Sequence, residues 1–242
     1  MFLSKTTAAV ATVLSVLISS AAAASTVTLD AIGANPFENA NGKKAWVVQT
    51  SFQLGTDTVL LRDVGMYRLE ATRADGSTQR LRAVGLQPLE DLQFPIVYDL
   101  AAQYSPTVLE NLNTLSKNAW GLVFNENSAA AFQLAAWEIA NETGVYDIND
   151  GFFKVTGDTT ASDRAAATAQ TWLENIANGT WTAPSNAFDI VSQNGSATLL
   201  TNRKTLAVPP IAPVPLPASA AFLLAGVIGL GGLNRFKRAC TI

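Results

Sequence analysis

The chain contains no histidine and only one cysteine among its 242 residues. Without His, the sequence excludes imidazole-based catalytic triads, His-ligated metal sites and imidazole pH switches. A single Cys excludes an intramolecular disulfide and a Cys-rich zinc site. Charged residues make up 14% of the chain and the net charge is −3, so no electrostatic basis for nucleic-acid binding exists. Hydrophobic residues make up 48%, which is typical of a folded domain and not of a disordered tail.

The N-terminus has the three parts of a secretory signal peptide. Lys5 supplies a positive charge, an apolar run covers 8–18, and small residues stand at Ala22 and Ala24. This pattern predicts cleavage by signal peptidase after residue 24, with Ser25 as the first mature residue. The alternative is an uncleaved anchor helix, which the shortness of the apolar run disfavours.

The C-terminus carries a second ordered pattern. A proline-rich segment over 207–217 predicts an extended, semi-rigid spacer. The apolar stretch 218–233 is roughly one bilayer crossing, slightly short of the usual ~20 residues, and predicts a transmembrane helix. A basic cluster follows directly and predicts a cytoplasmic tail. Its residues are Arg235, Lys237 and Arg238.

A string of five residues ends at the first residue of the apolar stretch and consists of Val214, Pro215, Leu216, Pro217 and Ala218. Together with the helix and the basic cluster, this string resembles the VPLPA-CTERM variant of the bacterial PEP-CTERM sorting signal. The resemblance implies a Gram-negative source, recognition by an exosortase-type membrane protease, and removal of the helix with release or re-attachment at the cell surface. A plain C-terminal membrane anchor is the alternative interpretation.

Removal of both ends would leave an acidic, cysteine-free body. Residues 25–217 keep all 19 acidic residues and 12 of the 16 basic ones, a net charge of −7. Cys240 lies in the tail. An acidic body repels anionic polymers unless divalent cations bridge them, and exopolysaccharide of the surrounding matrix is a candidate partner.

The body, 25–206, reads as strands, then helices, then strands. Asp75-Gly76 and Asn194-Gly195 each lie between alternating runs and predict hairpins. Segregated strands and helices predict an α+β domain: an antiparallel sheet, as a sandwich or a barrel, with a helical insertion. The predicted strands are Trp46 to Phe52, Thr58 to Leu61, Tyr67 to Thr72, Thr78 to Val84, Phe188 to Gln193 and Ser196 to Leu200; the predicted helices are Pro106 to Leu115 after an N-cap at Ser105, Ser128 to Asn141, and Asp163 to Asn178 with Asp163 as its cap.

The central predicted helix carries a second resemblance. Its string around Gln133, Ala135, Trp137 and Glu138 is similar to the Gln-x-Ala-x-Trp-Glu motif of thioester-domain proteins. In that family the Gln forms an internal thioester with a Cys from an earlier strand, and the bond captures amines on a surface. The resemblance places the missing Cys at Gly85.

Without a thiol in the body, no such thioester can form. Gln133 is therefore expected to be structural, with its amide hydrogen-bonded in the core, and Trp137 is expected to be a core residue. The helical spacing predicts a buried stripe through Phe132, Ala135, Ala136 and Ile139. Glu138 and Glu142 form a like-charge pair one turn apart, which indicates a solvated face.

Other candidate chemistry is sparse. The acidic segment from Asp147 to Gly151 is superficially similar to a Ca²⁺-binding loop but lacks the ligand spacing of one. We therefore expect a polar turn with positive φ at Gly151, and a weak extracellular Ca²⁺ site is the alternative. Glu90-Asp91 is expected to be a solvated turn. No catalytic residue, cofactor or metal ligand is predicted.

Four functions follow from these patterns. The favoured one is a non-enzymatic protein of the cell surface or extracellular matrix, anchored in the inner membrane before processing. The second is a secreted hydrolase that acts on exopolysaccharide through two carboxylates. The third is a covalent thioester adhesin, which the missing thiol opposes. The fourth is a simple membrane-anchored protein that keeps its tail.

Overall fold

A computed structural model describes most of the body of this chain. The described residues are 26–34, 36–37, 46–57, 59–73, 75–90, 92, 94–100, 104–142, 144–157, 159–183, 188–193 and 196–202. The predicted signal peptide, spacer, C-terminal helix and basic cluster lie outside these ranges, and so do Ala22, Ala24 and the VPLPA string. Within the ranges, no helix combines the length and the apolar character needed to cross a bilayer.

The described chain forms nine strands and three α-helices. The strands are β1 Thr26–Ala31, β2 Val47–Leu54, β3 Leu60–Gly65, β4 Tyr67–Arg73, β5 Thr78–Gly85, β6 Ile96–Leu100, β7 Phe153–Val155, β8 Phe188–Gln193 and β9 Ser196–Asn202. The helices are α1 Pro106–Ala119, α2 Glu126–Asn141 and α3 Thr160–Ala177, with a short 3-10 helix at Trp120–Leu122 after α1. The predicted α+β class is confirmed.

The strands form two antiparallel sheets. Six strands close on themselves in the order β1-β4-β5-β9-β8-β6, with β6 pairing back onto β1. The remaining three form a separate sheet in the order β3-β2-β7. The barrel alternative is therefore the one that this body adopts, and the segment from α1 to α3 is inserted between β6 and β8 of the closed sheet.

Turn chemistry accounts for the hairpin between β4 and β5. Gly76 has φ of +80°, a conformation that glycine adopts without a steric cost. The Asp75 carboxylate accepts from the Ser77 backbone N–H at 2.8 Å, and Thr72 pairs with Thr78 across the strands. The second predicted hairpin also forms, because β8 and β9 pair up to Gln193 and Ser196.

Side-chain caps set where the helices begin. Ser105 caps α1, with its hydroxyl accepting from the Val108 N–H, as predicted. The predicted start of α2 at Ser128 is wrong, because Asn125 is the cap and forms a capping box with Ser128. The predicted cap Asp163 is also wrong: Thr159 caps α3, its hydroxyl accepting from the Ser162 N–H at 3.1 Å.

Strand β7 was not predicted, because it lies within the stretch read as helical. Phe153 and Val155 are buried and pair with Leu54 and Phe52 of β2. A three-residue strand is too short to produce a recognisable alternation. Strand β3 also starts two residues later than the predicted Thr58 and runs on to Gly65.

The core has two parts. Small and branched residues fill the inside of the closed sheet, among them Leu29, Leu69, Ala71, Leu81 and Leu199. The larger part lies between the helices, the three-stranded sheet and the outer side of the closed sheet. Helix α2 is buried on every side from Ser128 to Ile139, so the predicted stripe is only part of its buried surface.

Candidate functional site

The amide of Gln133 binds the backbone of Gly85. The side-chain oxygen of Gln133 accepts from the Gly85 N–H at 3.1 Å, and its nitrogen donates to the Gly85 carbonyl. Gln133 is only 1% exposed. Both polar ends of the amide are therefore satisfied in the core, the arrangement expected of a structural residue.

The strand pattern explains why a glutamine fits at this point. The Leu86 N–H donates to Thr198 of β9 at 2.8 Å, so the peptide groups of the preceding residue, Gly85, face the opposite edge of β5. On that edge β4 begins only at Tyr67, which pairs with Ala83. A side-chain amide carries the donor and acceptor of a peptide group, and Gln133 thus takes the place of the missing strand.

Gly85 has a second neighbour, Tyr67. A Cβ added at Gly85 would lie 3.3 Å from the Tyr67 hydroxyl oxygen and 3.5 Å from its ring. The three nearest atoms to that Cβ all belong to Tyr67, out to 3.9 Å, so the Gln133 carboxamide lies no nearer than that. A side chain at position 85 would therefore face Tyr67 rather than the amide.

Tyr67 lines a cleft of about 500 Å³. The Phe37 ring packs against Tyr67 in a tilted arrangement, with centroids 4.9 Å apart. The cleft combines aromatic rings, side-chain amides and charges of both signs, groups that are typical of sites for polar organic ligands. The lining includes Phe37, Tyr67, Trp137, Gln49, Gln87, Arg62, Asp63 and Glu90.

Trp137 lies between this cleft and the core. It is 3% exposed, and its ring packs on Phe52 at 5.1 Å and on Phe153 at 5.8 Å between centroids. Ala135, also in the predicted motif, is fully buried. Trp137 is thus a packing residue of which one edge reaches the cleft.

The expectation of a solvated Glu138–Glu142 face is wrong. Glu138 is fully buried, and one of its carboxyl oxygens accepts from the Asp147 N–H at 2.8 Å. A carboxyl oxygen of Glu142 accepts from the Phe153 N–H at 2.7 Å. Glu138 faces the core and bonds to the middle of the loop that connects α2 to β7, whereas the partly buried Glu142 bonds to the first residue of β7.

Burial first, and then the nearby carboxylates of Glu142 and Asp147, together raise the pKa of Glu138 to about 8, against the lowering effect of the hydrogen bond from the Asp147 N–H. Its second oxygen is buried without a hydrogen-bond partner in the described part of the chain. Glu138 therefore carries its proton at neutral pH. Its place beneath a loop makes it a structural acid.

The Asp147 to Gly151 segment forms a polar turn. The Asp147 carboxylate accepts from the Asn149 N–H at 3.0 Å, and Gly151 has φ of +106°. Among the described residues, no three Asp, Glu or Cys side chains lie close enough together to hold a metal ion. Glu90 is exposed beside the cleft, and Asp91 lies outside the described residues.

Three functional features were not predicted from the sequence. They are the Tyr67 side of the cleft, the inward position of Glu138, and the peptide-like role of Gln133 at the end of β5. The cleft and the Gln133 contact join residues far apart in the chain, and Glu138 bonds to a loop residue that has no local pattern to reveal the contact.

Comparisons with known proteins add no relative. No family model, curated protein or solved structure matches this chain.

Proposed function

We propose that this chain is an exported bacterial protein of the cell surface or extracellular matrix, with a non-catalytic body that binds a partner. The observation that carries the proposal is the order of features in its last residues: the VPLPA string at 214–218, one apolar crossing over 218–233, and the basic cluster at 235–238. A signal peptidase removes 1–24, and an exosortase-type protease acts on the tail once the helix holds the protein in the inner membrane.

The contact between Gln133 and Gly85 supports a non-catalytic body. A reactive thioester needs a free carboxamide and a thiol, whereas here both amide atoms bond to the backbone. Cys240 is the only cysteine of the chain and belongs to the tail. The resemblance to thioester domains is therefore interpreted as a shared scaffold without the reactive bond.

The cleft beside Tyr67 supports a binding role. The half-buried Tyr67 ring can pack against the apolar face of a sugar, and the amides of Gln49 and Gln87 can bond to hydroxyls, so a polysaccharide of the matrix is the proposed ligand. The second candidate function, a carboxylate-dependent hydrolase, is favoured by Asp63 and Glu90 lining this same cleft. Release of new reducing ends from exopolysaccharide, abolished in Asp63→Asn, would select the hydrolase.

Processing of the tail tests the sorting proposal directly. We would measure the intact mass of the protein from the envelope and the medium of a bacterium that has an exosortase. The expected product starts at Ser25 and lacks the helix at 218–233. The double variant Pro215→Ala/Pro217→Ala should retain the helix, because it removes the prolines of the recognition string.

Pro209→Ala/Pro210→Ala is the matched control, since it changes two prolines of the same spacer outside the string. This control should be processed like the natural chain. Retention of residues 218–242 in the natural chain would contradict sorting and leave a protein anchored by one helix.

A further inference from the structure

Two arginines face each other on the outer side of the closed sheet. Arg68 of β4 and Arg82 of β5 are direct partners in the antiparallel pairing of these strands. Both are partly buried. Like charges placed directly opposite each other destabilise a strand pair, so this position needs a compensating interaction.

Two tryptophans supply part of that compensation. The Arg82 guanidinium lies 4.7 Å from the centre of the Trp46 ring and 5.9 Å from that of Trp120. The Arg68 guanidinium lies 5.6 Å from the Trp46 ring. A ring face attracts a cation but accepts none of its N–H donors in the way that an oxyanion does.

The backbone holds Trp46 in a strained position for this contact. Trp46 has φ of +65°, which is rare for a bulky residue. Its carbonyl accepts from the Met66 N–H at 3.1 Å. A Cβ at Gly65 would lie 2.0 Å from the same carbonyl, so only glycine permits this approach. Strain of this kind is maintained where the surroundings enforce it, often at binding sites.

No anion balances the pair in the part of the chain that the structure describes. Neither guanidinium has a carboxylate or a hydrogen-bond acceptor among the described residues. Glu70, two residues along β4, lies opposite Arg80. Burial and the charge of Arg68 lower the pKa of Arg82, the direction expected of a cation that lacks a counter-charge.

We propose that Arg68 and Arg82, set by Trp46 and Trp120, form a binding site for an oxyanion group such as a carboxylate, sulfate or phosphate. One such group bridging the two forks would cancel their repulsion and form charge-assisted hydrogen bonds. The group can come from an acidic sugar of a polysaccharide or from a free inorganic ion. None of these four residues lines the cleft. The proposed site does not depend on whether the tail is a sorting signal.

We would titrate the full chain in a non-ionic detergent and measure binding by calorimetry. The ligands are sodium sulfate, sodium phosphate and an oligogalacturonate, and sodium chloride at equal ionic strength is the control. We expect one site that takes at least one of the oxyanions and excludes chloride. Tighter binding of oligogalacturonate than of sulfate or phosphate would identify an acidic sugar as the source. Equal or tighter binding of the inorganic ions would identify a free ion.

Arg82→Gln and Arg68→Gln should each weaken oxyanion binding by roughly 10- to 100-fold, since each removes charge-assisted bonds. Arg80→Gln is the matched control on the same strand, and it should bind like the natural chain because Arg80 faces Glu70. Binding that is unchanged in both Arg68→Gln and Arg82→Gln, or no binding beyond that of chloride, would overturn the proposal.

If Arg82→Gln fails to fold, Arg82→Lys keeps the charge and removes the planar fork. Two-point recognition by the fork predicts that this variant also binds more weakly, whereas a site of charge alone would leave its affinity unchanged and would contradict a bridged oxyanion.

Discussion

Gln133 and Glu138 are two buried polar side chains on one helix, and their surroundings differ in one respect. Each reaches from α2 to a distant backbone segment: Gln133 to Gly85 of the closed sheet, and Glu138 to Asp147 in the loop before β7. The amide finds a partner for both of its polar atoms. The carboxyl finds a partner for one oxygen, and the other is buried alone among the described residues.

The difference teaches how a neutral and an ionisable group serve the same structural purpose. An amide has a donor and an acceptor, so it can match an unpaired peptide group completely at any pH. A carboxylate has acceptors only, and burial makes its charged form costly. Glu138 therefore remains protonated at neutral pH, and the loop that it holds depends on pH where the Gln133 contact does not.

The largest expected effect on stability comes from removing the contact between the Gln133 amide and the Gly85 backbone. Gln133→Leu keeps a similar volume but leaves the Gly85 N–H and carbonyl unpaired in the core, which should lower the free energy of unfolding by about 2–6 kcal/mol. Urea denaturation followed by circular dichroism measures the change.

Gln170→Leu is the control for that variant. Gln170 on α3 also accepts from a loop N–H, that of Ile148 at 3.0 Å, but its side chain is only partly buried and its second backbone contact, to the Tyr146 carbonyl, is long at 3.4 Å, so one good backbone bond is lost instead of two. We expect a cost of about 1 kcal/mol. An equal fall in the free energy of unfolding in the two variants would show that burial does not make the Gly85 contact more stabilising than the Ile148 contact.

The second effect is a dependence of stability on pH. The pKa of Glu138 rises from 4.5 in the unfolded chain to about 8 in the folded one. Between these values the folded state holds a proton that the unfolded state has released. This stabilisation is fully present below about pH 4.5 and is lost as the pH rises through about 8, a total of up to about 5 kcal/mol.

Glu138→Gln should remove this part of the pH dependence, since its amide does not ionise. Unfolding free energies measured from pH 5 to 9 should show the variant gaining on the natural chain as the pH rises. Glu142→Gln, the control, removes only a neighbouring charge and should keep most of the slope. If Glu138→Gln shows the same slope of unfolding free energy against pH as the natural chain, the pH dependence belongs to another group.

The smallest effect is expected from adding a side chain at Gly85. Gly85→Ala leaves the backbone groups that bind Gln133 in place. The new methyl group would lie 3.3 Å from the Tyr67 hydroxyl, so Tyr67 must shift by a few tenths of an ångström. We expect the free energy of unfolding to fall by about 1 kcal/mol or less. Gly85→Cys should cost little more. It should retain its full mass, because the new Cβ faces Tyr67 and the carboxamide lies no nearer than 3.9 Å.

An intact mass that is lower by one ammonia in Gly85→Cys would have a different meaning. It would show that the fold still brings a thiol onto the Gln133 carboxamide. The resemblance to thioester domains would then extend from the motif to its chemistry. Gly85→Ser is the control, since it adds a side chain of similar size without a thiol.

Local chemistry was sufficient for several elements. The Asp75-Gly76 turn and the Ser105 cap of α1 were predicted correctly, because each depends on hydrogen bonds between residues close in the chain. The starts of α2 and α3 were wrong by two or three residues. In both cases a polar residue earlier in the chain, Asn125 or Thr159, offered an equally good cap.

Non-local contacts explain the rest. Strand β7 exists because β2 pairs with it, and its three residues have no pattern of their own. The pairing of Glu138 with Glu142 indicated solvent, yet the loop that returns to Asp147 and Phe153 buries the first and bonds to both. Spacing along a helix specifies which side chains are neighbours, but not what packs against them.

The amino-acid order alone established that the body contains no thiol and no imidazole, where its hairpin turns fall, and that a proline-rich segment, an apolar stretch and a basic cluster follow one another at the C-terminus. These depend on residue identity and on neighbours within a few positions. Only the folded chain decided that the sheet closes, that the Gln133 amide completes the edge of β5 at Gly85, and that Trp46 and Trp120 pack on Arg82. The physical reason is that each of these contacts joins segments whose distance in sequence carries no information about their distance in space.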